Sequence, residues 1–151
     1  MASMPRKPSD AVVLAWTRLE RAHRTALGDV QARLKQADLP PLEWYDVLLE
    51  LERAGPGGLR PFELQKAILF AQYNLSRLVD RMVTAGLVGR EASAADGRGQ
   101  VLHITRAGRA LRRRAWPIYA AAIEHAVGRH FSESEARTLA TLLGRVHGAV
   151  D

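Results

Sequence analysis

Cysteine is absent from the 151 residues. That excludes a disulfide scaffold, a thiol nucleophile and any cysteine-ligated zinc or iron–sulfur centre. Long apolar runs are missing too, and none approaches the ~20 residues that a bilayer-crossing helix requires. Met1 to Pro8 holds Arg6 and Lys7 with no apolar stretch behind them that could serve as a signal peptide. The expected location is therefore the cytoplasm, with no membrane partner. The glycine-rich run Gly55-Pro56-Gly57-Gly58 is not followed by Gly-Lys-Ser/Thr, so it reads as a loop and not as a phosphate cradle. No nucleophile stands beside a base, and no paired carboxylates or HExxH motif occur, so no enzyme is expected. His23, His125 and His130 form no tight ligand cluster, and neither a metal nor a cofactor is expected.

The chain is 47% hydrophobic and 25% charged, which suits one compact domain with helical extensions. Its net charge is +6, with nineteen arginines against three lysines. The excess is concentrated. Residues 1–59 carry eight basic and eight acidic side chains, residues 60–114 carry eleven and four, and residues 115–151 carry three and four. Such clustering is the electrostatic footprint of a phosphate-binding surface. A general preference for arginine explains the residue type but not the clustering.

The periodicity predicts a mainly α chain. Ser9 or Asp10 caps a long helix whose stripe is Val12, Trp16, Leu19, His23, Leu27, Val30 and Leu34, ending near Pro40-Pro41. So long an apolar stripe in a small chain calls for a second subunit. A further helix spans Leu42 to Ala54. Next comes a short helix from Pro61 to Leu69, a turn at Phe70-Ala71, and another helix from about Gln72 to Ala85 closed by Gly86. The last has Leu75, Leu78, Val79 and Met82 on one side, and Gln72, Tyr73, Ser76, Arg77, Asp80 and Arg81 on the other. This is a helix-turn-helix plan. Leu87–Glu91 and Gln100–Ile104 then alternate as strands around an Asp96-Gly97 turn, which makes a wing with Arg98 at its tip. Thr105 caps a long helix to about His130, which Pro117 should kink. Ser132 and Glu135 form a capping box for a final helix.

At this point the sequence resembles the MarR family of winged-helix transcriptional regulators. The likeness rests on Leu75-Ser76-Arg77-Leu78-Val79-Asp80-Arg81-Met82, Gly86-Leu87-Val88, Asp96-Gly97-Arg98 and Ile104-Thr105-Arg106-Ala107-Gly108, at the family's spacing. The resemblance implies a winged helix-turn-helix (39–105) between N-terminal (1–38) and C-terminal (106–151) dimerisation helices. It further implies a homodimer that regulates transcription on double-stranded DNA, often as a repressor released by a small aromatic acid effector. Arg98 resembles the family's wing arginine and Asp96 the acid that positions it. The chain departs from the pattern at Phe70-Ala71-Gln72-Tyr73-Asn74, where Ser or Thr often begins the recognition helix, and at Gly97 and Gln65.

The expected DNA-binding residues are Arg60, Lys66, Gln72, Tyr73, Ser76, Arg77, Arg81, Asp96 and Arg98. The cations neutralise phosphates, while Gln72 and Arg77 have the donor and acceptor geometry to read adenine and guanine. Asp80 and Arg81 are equally suited to pairing within the helix or with the wing. Trp16, Trp44, Tyr45, Asp46 and Arg90 are the expected ligand set, or else core aromatics with a structural ion pair. Two other readings stand beside the regulator: a non-specific architectural DNA binder, and a winged-helix module for protein partners.

Overall fold

The computed structural model describes residues 6–70, 74–93 and 99–148. Among the described residues, six helices and one hairpin follow in order: α1 (Asp10–Gln36), α2 (Leu42–Ala54), α3 (Pro61–Ala67), α4 (Leu75–Thr84), β1 (Val88–Ala92), β2 (Gln100–Ile104), α5 (Arg106–Ala126) and α6 (Glu133–His147). Single 3-10 turns lie at Gly55–Gly57 and Gly128–His130. The fold is mainly α with a small β-hairpin, as the periodicity requires.

The chain divides into two compact units. One comprises residues 33–120, and the other comprises residues 1–32 with 121–151.

Within residues 33–120 the core collects the inward stripe of every element. Val47, Leu48 and Leu51 of α2 join Leu64 of α3, and Leu75, Leu78, Val79 and Met82 of α4. Val88, Leu102, Ile104 and Leu111 complete it. The α4 positions recur at three, four and seven, so one face is buried while Ser76, Arg77, Asp80 and Arg81 are exposed. The hairpin pairs Val88 with Ile104 through Ala92 with Gln100, and Ser93 N donating to Gly99 O (2.7 Å) carries the ladder one step further. A bridge that the alternation does not reveal lies beside it. Leu59 and Leu102 exchange both backbone hydrogen bonds, at 3.0 and 2.8 Å.

The joint between α4, the hairpin and α5 is built by Thr105 and two glycines. Gly86 takes a φ of 76° that few other residues adopt, and it lets the chain leave α4 with Leu87 N donating back to Met82 O at 3.0 Å. Thr105 caps α5 by accepting from Gly108 N (3.0 Å), and its hydroxyl donates to Gly86 O (2.7 Å). Gly108 has no side chain because a Cβ there would overlap the carbonyl oxygen of Leu87. The Thr-x-x-Gly spacing therefore fixes where α4 ends relative to where α5 begins.

Within the other unit, Ser132 and Glu135 form the expected capping box on α6, at 3.2 and 2.8 Å. α5 runs through Pro117 and gives way to the 3-10 turn after Ala126, four residues short of His130. Val12, Val13, Trp16, Val127, Phe131 and Val146 are exposed. Leu19, His23, Ala126, His130, Phe131 and Leu143 help to line an apolar concavity of about 540 Å³.

Candidate nucleic-acid interface

The helix α4 begins later than its sequence pattern indicates. Asn74 is its N-cap, the side chain accepting from Arg77 N at 3.1 Å, and Leu75 is the first helical residue. The expected start at Gln72 is thus displaced by three residues, because the asparagine oxygen satisfies a backbone donor of the first turn and so caps the helix at Asn74. The candidate base readers Gln72 and Tyr73 lie outside the described residues, as do Asp96 and Arg98 of the wing.

The other expected residues fall into two groups. Ser76, Arg77 and Arg81 stand on the exposed face of α4, and Lys66 stands exposed on α3 with its ammonium 5.8 Å from the Phe62 ring centre. Nothing among the described residues engages the guanidinium of Arg77 or Arg81, so both are available to phosphates. Arg60 is placed differently. It is half-buried, and its guanidinium donates to Ser93 (3.0 Å), a serine only 6% exposed at the base of the wing. Its backbone N–H also donates to Glu63 at 2.9 Å, which opens α3. Arg60 therefore joins the start of α3 to the hairpin.

Asp80 pairs with Arg90, so the helix is tied to β1. Of the two roles open to Asp80, pairing with the wing is the one it takes. The same pair removes Arg90 from Asp46, because strand alternation turns the Arg90 side chain toward α4. Asp46 is 6% exposed and instead accepts from Phe70 N at 2.9 Å. Arg90, Asp80, Ser76, Phe62 and Gln100 help to line an open cleft of about 460 Å³ between α3, α4 and the hairpin.

The expected ligand set is not gathered by the described geometry. Tyr45 is buried edge-on to Tyr119 (5.0 Å between ring centres) and stacks near Trp116 (6.3 Å). The space beside Trp44 and Tyr45 holds about 10 Å³, near the minimum for one water. Trp16 is 63% exposed on α1. Burial, followed by the charges of Asp46 and Tyr45, pushes the Tyr119 hydroxyl above its usual pKa of 10.0. Among the described residues, no three metal-ligating side chains converge, and no helix is long and apolar enough to cross a membrane.

Sequence reasoning missed the cation Arg112, which pairs with Glu52 and ties α5 to α2. Sixty residues separate the partners, so no local pattern could signal the contact.

A helix with a cationic outer face, preceded by a short helix and followed by an antiparallel hairpin tied to it, defines a winged helix-turn-helix DNA-binding lobe. The MarR family model matches residues 37–99. The chain is also similar in structure to Sco3205, a MarR family transcriptional regulator from Streptomyces coelicolor solved in complex with DNA. There the identity is 26%, the TM-score 0.86, and the coverage 96% of this chain and 91% of that one. AbsC, a MarR family regulator from the same organism, shares the fold at 22% identity and TM-score 0.83, over 95% and 96% of the two chains. A mutant of MarR from E. coli solved with operator DNA shares it at 20% identity and TM-score 0.78, over 93% and 99%. No curated protein matches the chain in sequence. Residues 37–99 thus match the MarR family, and the chain as a whole has the fold of MarR family transcriptional regulators.

Proposed function

We propose that the chain works in the cytoplasm as a homodimer that recognises a roughly palindromic operator, represses by occupying it, and is released by a small aromatic acid. The observation that carries the DNA part is the α4 face: Ser76, Arg77 and Arg81 exposed over a fully buried stripe, beside a hairpin fixed to the same helix through Asp80 and Arg90. Phosphate contacts from Arg77, Arg81 and Lys66 supply affinity without sequence information, so selectivity comes from side chains that reach base edges. Gln72 and Tyr73, ahead of α4 in the sequence, and Asp96 and Arg98, between the two strands, remain the proposed contacts, with Asp96 orienting Arg98.

The dimer reading is supported by large apolar side chains left exposed in residues 1–32 and 121–151. Monomers rarely tolerate so much apolar surface. A two-fold dimer places its recognition helices one DNA turn apart, hence the palindrome. The ligand reading rests on the 460 Å³ cleft, whose volume suits a small molecule and which offers Arg90 to a carboxylate and Phe62 to a ring. An acid seated there would compete with Asp80 for Arg90 on the face that meets DNA.

The test is binding to a duplex from the region upstream of the protein's own coding sequence and to a scrambled duplex, near physiological salt, with and without benzoate or salicylate. A preference of ~10³ or more lies within the range of specific regulators. Equal affinity for both duplexes would instead favour an architectural binder, and no binding to either a protein-partner module. Sedimentation of the free protein reads the dimer directly.

A further inference from the structure

A buried carboxylate needs a reason. Asp46 sits on α2 and is 6% exposed, buried like the apolar residues Val47, Leu48 and Leu51 of the same helix. Desolvating a carboxylate is expensive unless hydrogen bonds compensate for it, and a leucine or valine would fill such a place at no electrostatic cost. The partner of Asp46 is not another side chain. It is the backbone N–H of Phe70, twenty-four residues along, donating to Oδ2 at 2.9 Å.

Phe70 lies where α3 has ended, its last backbone bond running from Ile68 N to Leu64 O. Four residues later Asn74 opens α4, accepting from Arg77 N through its side chain. The described residues on either side of positions 71–73 are thus each held by a side-chain oxygen: Asn74 caps α4 from within, and Asp46 of α2 holds the Phe70 amide. A neutral hydrogen-bond acceptor would satisfy an amide, but a carboxylate does so with a stronger, shorter bond. An anchor of that kind sets the position of the Phe70 peptide and not its stability alone.

We propose that Asp46 is a positioning residue for operator recognition: by holding the Phe70 amide it fixes the approach of the chain to α4, and so the placement of base-reading side chains against the major groove. This rests on the operator-binding reading above and adds to it a residue that touches no DNA. Its role differs from that expected of Asp46 as part of a ligand set. The carboxylate accepts from the backbone of Phe70, and its charge is felt by the Tyr119 hydroxyl.

The test compares wild type, Asp46→Asn and Asp46→Ala, each as the full chain, on a duplex enriched by wild type from a random library and on a scrambled duplex. Asp46→Asn keeps an acceptor oxygen of the same reach, and it should retain the preference for the enriched duplex to within about threefold. Asp46→Ala should lose about tenfold of that preference, roughly the discrimination of one good base contact, while its affinity for the scrambled duplex stays within about twofold. A purely structural role would lower both affinities together and leave their ratio unchanged, and that result would overturn the proposal. Loss of the ratio in Asp46→Asn equal to that in Asp46→Ala would overturn it as well, since the acceptor would then not be what matters. Amide hydrogen exchange gives a second readout that needs neither DNA nor a folded variant. In wild type the Phe70 amide should exchange at least about tenfold more slowly than an unbonded amide, and an unprotected Phe70 overturns the anchor outright. Should library selection enrich no duplex, the operator reading fails, while Phe70 protection still decides whether the anchor exists.

Discussion

Gly108→Ala separates helix propensity from packing, because the two predict opposite signs. Gly108 stands in the first turn of α5, where glycine is ~1 kcal/mol worse than alanine for an exposed helical position. On propensity alone the substitution stabilises. In the structure, however, the added methyl overlaps the Leu87 carbonyl oxygen and lies 2.9 Å from Ile104 Cγ1 and 3.1 Å from Leu48 Cδ2. The side chains can give, but the carbonyl cannot do so cheaply. Leu87 is held by its own N–H to Met82 O at 3.0 Å, and its oxygen accepts from Thr105 N at 3.1 Å. Reaching an ordinary C···O separation of about 3.3 Å would move that peptide by roughly 1 Å. Overpacking typically costs ~1–3 kcal/mol, and a backbone neighbour places this site at the upper end. After the propensity gain is subtracted, the expected net loss is about 2 kcal/mol, or about 4–8 °C in Tm for a chain of this size. The assay is thermal unfolding by circular dichroism at fixed protein concentration, since the proposed dimer would make Tm depend on it. Gly57→Ala is the control: nothing lies within 4 Å of its Cβ position, so its Tm should hold within about 2 °C. A Gly108→Ala protein as stable as wild type, or more so, would refute the packing argument.

Three further outcomes follow from the same geometry. Arg77→Ala and Arg81→Ala should each weaken binding to enriched and scrambled duplexes alike and reduce the slope of log K against log salt by ~0.9 for each phosphate no longer neutralised; unchanged slopes would mean that the α4 face does not meet the backbone. Thr105→Val should lose ~1–2 kcal/mol in denaturant unfolding, because the bonds to Gly86 O and Gly108 N disappear, whereas Thr105→Ser should retain most of it; equal stability of the two variants would show that the hydroxyl contributes nothing. Tyr119 has its pKa raised above 10.0 in the folded chain, so folding favours its protonated form, and stability should fall as pH climbs past 10 toward the folded value. The difference in absorbance at 295 nm between wild type and Tyr119→Phe should therefore titrate above pH 10, and a midpoint at or below 10 would contradict the burial.

The local periodicities carry most of the fold. The stripe Leu75, Leu78, Val79, Met82 declares a buried helix face within its own eight residues, and the alternation of Gln100–Ile104 declares a strand within five. Features that depend on distant partners are not legible in this way. The start of α4 depends on where its cap stands, at Asn74 and not ahead of Gln72. The residue type favours Asn74, but the apolar stripe gives no reason to stop at Leu75. Asp46 and Arg90 look like partners as an acid and a base near aromatics, yet the hairpin register turns Arg90 to Asp80, and the end of α3 brings the Phe70 amide to Asp46. Arg60 counts among the phosphate ligands as long as only its charge is visible. Its bond to Ser93 exists because the Leu59–Leu102 bridge draws the start of α3 against the hairpin, a pairing that two isolated leucines cannot announce.

The central block of positive charge is two populations with different work. Arg60, Arg90 and Arg112 each join elements distant in sequence, to Ser93, Asp80 and Glu52 respectively, and they are the fasteners of the 33–120 lobe. Arg77 and Arg81 on α4 and Lys66 on α3 point outward, with no acidic partner among the described residues. Arg106, Arg109 and Arg113 do the same on α5, spaced three and four apart, so that they share the face opposite the buried Leu111 and Ala115. Guanidinium suits both tasks: its fork bonds a hydroxyl or carboxylate from a fixed direction inside the lobe, and it meets a phosphate in the same way outside it. The fasteners also cannot be exchanged freely for lysine, whose ammonium lacks that geometry. A net-charge count therefore overstates the cation available to DNA. On the proposed reading, the strength of binding would come from the outward set, and the accuracy with which that set is presented from the inward one.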